Sequence, residues 1–250
     1  MIKSFYEYIT ENESDDPIIH QYVNDVINHV KRVNSTNNEY VEIRELEYKE
    51  EETFDLVIQV KKDSSPNFET DEHFNTLPWE EINYKKYGYA IDANTVIDKG
   101  ELIVPEIILT LIIDPTREPD LYDELYYKLI DIITHELHHT RQVGWNREPF
   151  NVRPSSSKTR GTVKQSFEYF ILPDEIESMV GGMYTRSIEQ DIPIDELFNM
   201  YLIPFLKDKQ LTQSQFEEVF KVWLIYSLEN YPDARLNDSS PRVQNIIKTI

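Results

Sequence analysis

The sequence predicts an α+β protein. Between residues 40 and 113 apolar residues alternate with polar ones or gather in short runs, the signature of strands. From residue 120 onward they recur at three- and four-residue intervals, the signature of amphipathic helices. Strands first and helices later favour α+β over alternating βαβ units.

The elements follow in order. Ile2, Phe5, Tyr6 and Ile9 place one apolar face on a short helix over residues 2–11. An acidic break with Pro17 separates it from a second helix over 18–33, carried by Ile19, Val23, Val26, Ile27 and Val30. The polar cluster 34–38 ends that helix. Val41 and Ile43, then Phe54, Leu56, Ile58 and Val60, indicate two strands, and residues 63–78 read as irregular. Residues 87–91 and 102–113 form a further strand pair, with Asp98, Lys99 and Gly100 as a hairpin turn. Residues 120–143 make one long helix, and 173–188 another that opens on Pro173 with Asp174 and Glu175 complementing the helix dipole. Helices over 193–206, 212–228 and 242–250 complete the chain.

The 250 residues suffice for one large domain or two small ones. We expect an N-terminal segment, 1–16, followed by a single domain over 17–250. The formal net charge of −21 repels phosphate backbones, which argues against nucleic-acid binding. With no cysteine, disulfides, thiolate metal sites and cysteine nucleophiles are excluded. The acidic N-terminus is unlike a secretory signal, and the longest apolar run, 102–113, is broken by Pro105 and Glu106. The expectation is a soluble protein with no membrane partner.

The chemistry concentrates in Ile133-Thr134-His135-Glu136-Leu137-His138-His139-Thr140, which holds three of the six histidines. Four residues apart on a helix, His135 and His139 share a face and can reach one tetrahedral ion. Glu136, one step round, stands beside such an ion as a general base rather than a ligand. His138 projects elsewhere. Leu125, Leu129, Ile132 and Ile133 form the apolar stripe of this helix, and His135, Glu136 and His139 continue it. Ionisable residues on a core-facing stripe need partners, which a metal would supply. The alternative is a pair of hydrogen-bonded or surface histidines.

A catalytic zinc takes three protein ligands and leaves one position open. The third is expected from Pro173-Asp174-Glu175-Ile176-Glu177-Ser178. Glu175 and Glu177 point about 160° apart on a helix, so only one can ligate. Glu177 is preferred, because the small Ser178, Gly181 and Gly182 would allow close helix approach. Glu175 is the alternative, with a plain helix-N-terminal role open to it.

The run His135-Glu136-Leu137-His138-His139-Thr140-Arg141-Gln142, followed by Tyr169 and the Pro173–Ser178 segment, resembles the zincin metallopeptidases with a glutamate third ligand, and their small phage and bacterial variants in particular. The resemblance covers about the middle fifth of the chain. It implies a zincin-like fold, Zn2+ held by His135, His139 and Glu177, Glu136 as general base and a protein or peptide substrate. Gly181 stands where that family often has an acidic residue orienting the first histidine. For oxyanion stabilisation beyond the metal, Tyr169 and Tyr184 are the candidates, either of which can equally be a packing tyrosine. The basic stretch 144–164, with Arg147, Arg153, Lys158, Arg160 and Lys164, reads as a substrate lid or as a loop docked on the acidic body.

Lys3-Ser4-Phe5-Tyr6-Glu7-Tyr8-Ile9-Thr10-Glu11 resembles the capsid-targeting peptide of internal head proteins in T-even-type phages, with Ile9-Thr10-Glu11 matching the prohead-protease cleavage site. That resemblance implies a phage capsid or prohead partner, loss of residues 1–11, and a location in the host cytoplasm or inside the virion head. The same ten residues also read as an amphipathic helix packed on the body. The non-enzymatic alternative is a virion protein with a structural metal or none.

Overall fold

Alternation of buried and half-buried residues builds the sheet. The computed structural model describes residues 17–36, 40–44, 55–71, 74, 78–96, 106–117, 120–142 and 163–249. The 2–11 helix, its targeting-peptide reading, the Asp98–Gly100 turn and most of the basic stretch therefore lie outside the described residues. Contacts gather into two compact units, one over residues 21–142 and one over 163–249 with 17–20.

In the unit over residues 21–142 most of α1 (Pro17–Asn34) comes first, and its Tyr22, Val23, Val26 and Val30 are fully buried. Strands β1 (Tyr40–Arg44), β2 (Asp55–Lys62), β3 (Tyr89–Val96) and β4 (Glu106–Ile113) form one sheet in the order β1-β2-β4-β3. The expected β3–β4 pair is antiparallel, from Tyr89 opposite Ile113 to Val96 opposite Glu106. Pairing of β2 with β4 is parallel, a long-range feature that local periodicity does not carry. Central strand β4 buries Leu111, Ile112 and Ile113 in succession, so its end is covered on both faces. Edge strand β3 starts buried at Tyr89, Ala90 and Ile91 and runs to exposed Asn94 and Val96. It is thus longer than the expected 87–91, because polar outward residues hide its second half.

Helix α2 (Pro78–Tyr87), absent from the sequence expectation, precedes β3. It stops at Gly88, whose φ of 84° is left-handed and where a Cβ would meet the Arg117 side chain at 3.0 Å. Its one deeply buried charge is Glu80, which accepts the Ile91 backbone N–H at 2.6 Å. Burial pushes the Glu80 carboxyl up to about 7, against the pull of Lys128. A pKa raised on folding favours the folded state below the unfolded value of 4.5, and that contribution disappears as pH rises through about 7. Glu80→Gln keeps an oxygen for Ile91 but cannot ionise. Denaturant unfolding of the wild type between pH 5 and 8 is expected to show a loss of stability with pH that Glu80→Gln lacks. Parallel pH profiles for the two proteins would remove Glu80 as the cause.

Helix α3 (Asp120–Gln142) packs on β3 and α2. Leu121, Leu125, Leu129, Ile130 and Ile133 are buried as its core face, while Ile132, expected there, is only half-buried. Lys128 and Asp131 form a buried ion pair at 3.1 Å on the same helix.

The second unit is helical: α4 (Val163–Phe170), α5 (Pro173–Gln190), α6 (Ile194–Lys207), α7 (Gln213–Asn230) and α8 (Pro241–Ile247). Thr212 and Gln215 form a capping box that starts α7. Fully buried Trp223 on α7 stands at the centre of an aromatic cluster with Phe170, Phe198 and Tyr201. Its indole N–H donates to the Phe170 carbonyl at 2.9 Å, satisfying the polar end of a deeply buried ring. The mixed α+β class expected from sequence is thus observed. No helix among the described residues is long and apolar enough to cross a membrane.

Candidate metal centre

The centre is built on α3, where the four-residue spacing puts His135 and His139 one turn apart on one face. Their rings meet edge to face, centroids 4.6 Å apart and planes at 87°. The two Nε2 atoms stand 3.0 Å from each other. Both side chains are buried, His135 at 9% exposure and His139 at 6%. Glu136 is buried too, with Oε1 3.9 Å from His135 Nε2. His138, also buried, does not join them.

Glu136 has a partner that the sequence reading missed. Thr95 on β3 donates its hydroxyl to Glu136 Oε2 at 2.7 Å and lies 3.2 Å from the Glu136 main-chain oxygen. The signal was present, since strand alternation puts Thr95 on the face of Ile91 and Ala93, and a polar residue there calls for a partner. Ending the strand at Ile91 concealed it.

In the helical unit, α5 opens with Pro173 at its first turn, followed by Asp174 and Glu175. Glu175 is buried at 3% exposure and Glu177 at 8%. Glu177, the preferred third ligand, and Glu175, the alternative, are about 160° apart around this helix, so only one of them can face a given ion. Ser178, invoked to favour Glu177, is fully buried and bonds back to the Asp174 carbonyl at 2.9 Å, a role internal to α5.

The residues fit a cation. A tetrahedral ion with imidazole ligands sets their nitrogens roughly 3.3 Å apart, close to the 3.0 Å observed between the two Nε2 atoms. Two imidazoles alone could instead share one proton, but the buried Glu136 carboxylate beside them adds a negative charge that favours a cation.

No protein-family model, curated protein or solved structure matches the chain. Its reading therefore rests on the motif and this geometry.

The two tyrosine candidates differ. Tyr184 on α5 gives its hydroxyl to both oxygens of Asp233 at 2.9 Å and stacks on Tyr231 at 4.1 Å between centroids. That engagement ties α5 to the segment around Tyr231 and Asp233. Tyr169 is buried on α4, edge-on to Phe170 at 5.6 Å.

Proposed function

We propose that this chain is a zinc-dependent peptidase of zincin type, with His135 and His139 as metal ligands, one carboxylate of α5, Glu177 or Glu175, as the third, and Glu136 as general base. The observation that carries this reading is the convergence of the His135 and His139 ring nitrogens, with Glu136 beside them. Two imidazoles and a carboxylate, in a chain without cysteine, suit zinc and leave a coordination position open. When bound, zinc lowers the pKa of water and polarises a carbonyl. The protein's own residues supply the rest. Glu136 takes a proton from the attacking water and returns it to the leaving amine, the work of a carboxylate in a buried position. Tyr169 remains the candidate for oxyanion stabilisation. Peptides as substrates, and a phage setting, follow from the sequence resemblances.

Two measurements test this. One of Glu177→Gln and Glu175→Gln is expected to weaken zinc binding by about 10-fold or more in competition with a chromophoric chelator, and the other to leave it within about 2-fold. Unchanged binding in both would mean that α5 does not supply the third ligand. Hydrolysis of fluorescein-labelled casein should be abolished by chelator and restored by zinc. A chain that holds zinc but leaves casein uncut would keep the metal centre and remove the peptidase activity, which leaves a structural metal in a non-catalytic protein.

A further inference from the structure

We propose that Thr95 is the positioning residue of Glu136, fixing its carboxylate so that Oε1 is the oxygen turned toward the histidine pair. This rests on the peptidase reading for its kinetic consequence, but not for its structural one.

The terminal torsion of a glutamate is broad and roughly two-fold, so a carboxylate on a helix does not by itself assign different tasks to its two oxygens. In this protein they are distinguished. Oε2 accepts the Thr95 hydroxyl at 2.7 Å, and Oε1 lies 3.9 Å from His135 Nε2. A hydroxyl has one proton to give. The 2.7 Å contact has the usual length of a good O–H···O bond, whereas the 3.2 Å approach to the main-chain oxygen is longer than that range and the weaker of the two. The proton therefore belongs to the carboxylate.

The donor is itself well held. Thr95 is β-branched, which restricts its first side-chain torsion. Its backbone is in register with Ile107 of β4. Its neighbours Asn94 and Val96 are exposed, while Thr95 is half-buried and turned toward α3. The sheet thus supplies a rigid strut to a side chain on the packed helix.

The test uses the full-length chain with Thr95→Val, which keeps shape and removes the hydroxyl, Thr95→Ser, which keeps the hydroxyl, and Thr95→Ala as a second deletion at this partly exposed site. Crystal structures and casein kinetics are measured for each, together with zinc content. Thr95→Val and Thr95→Ala are expected to keep their zinc and KM while kcat falls about 10- to 100-fold, the effect of losing a bond to a charged group and its alignment. In crystals of both variants the Glu136 carboxylate turns away from the wild-type orientation. Thr95→Ser is expected to restore both orientation and kcat. An unrotated carboxylate in Thr95→Val and Thr95→Ala, or wild-type kcat in both, overturns the proposal. Should wild-type protein fail to cut casein, the peptidase reading falls, and the carboxylate orientation alone decides the role of Thr95.

Discussion

Glu136→Gln is expected to lower casein hydrolysis by about 100- to 10,000-fold with zinc content unchanged, the range a positioned general base contributes. The substitution is nearly isosteric at a position only 5% exposed, so packing is preserved. The glutamine carbonyl can still accept the Thr95 hydroxyl in the place of Oε2. What disappears is the capacity to take a proton, since an amide does not act as a base near neutral pH. No proposed metal ligand is altered, which separates loss of chemistry from loss of site. The measurement is kcat/KM on labelled casein beside elemental analysis of the same preparation. Wild-type turnover by Glu136→Gln would show that another group takes the proton.

His135→Ala and His139→Ala act on the ion itself. Structural zinc sites with four ligands bind with about 10–16 kcal/mol, so one ligand accounts for roughly 2.5–4 kcal/mol, or about 60- to 900-fold in affinity. Each variant is therefore expected to lose zinc during purification and all hydrolysis with it. Thermal unfolding gives a second readout. A ligand that binds only the folded state raises its stability in proportion to the logarithm of free ligand over Kd. Added zinc should raise the wild-type melting temperature and leave both variants unmoved. Both imidazoles being buried, each variant also creates a small cavity. The zinc-dependent shift, and not the absolute melting temperature, is thus the diagnostic quantity. An equal zinc shift in wild type and variants would mean that the ion binds elsewhere.

What the sequence reveals and conceals follows from the range of the interactions involved. Helix α3 and the histidine pair were legible because both depend on spacing within one helix. The β3–β4 pairing was legible from two apolar runs close in sequence. Helix α2 was not, because its pattern is inverted: Glu80 is its fully buried residue and Ile82 is 42% exposed. A charge in the core with an apolar residue in water defeats any periodicity argument. The parallel partnership of β2 with β4 is likewise non-local. Sequence narrowed the third ligand to two carboxylates on opposite faces of α5. The small Ser178 and the glycines favoured Glu177, but rotation of a helix about its axis is a tertiary property that spacing within the helix does not fix. Thr95 was concealed by a strand end placed too early, and Tyr184 by a distant partner, Asp233.

The most direct test of the centre is X-ray absorption at the zinc edge on the purified, zinc-loaded chain. The proposed centre predicts one zinc per chain with the scattering pattern of two imidazoles, reduced to one imidazole or no bound zinc in His139→Ala. An all-oxygen shell, or a two-imidazole pattern that persists in His139→Ala, would contradict the assignment of His135 and His139 as its ligands.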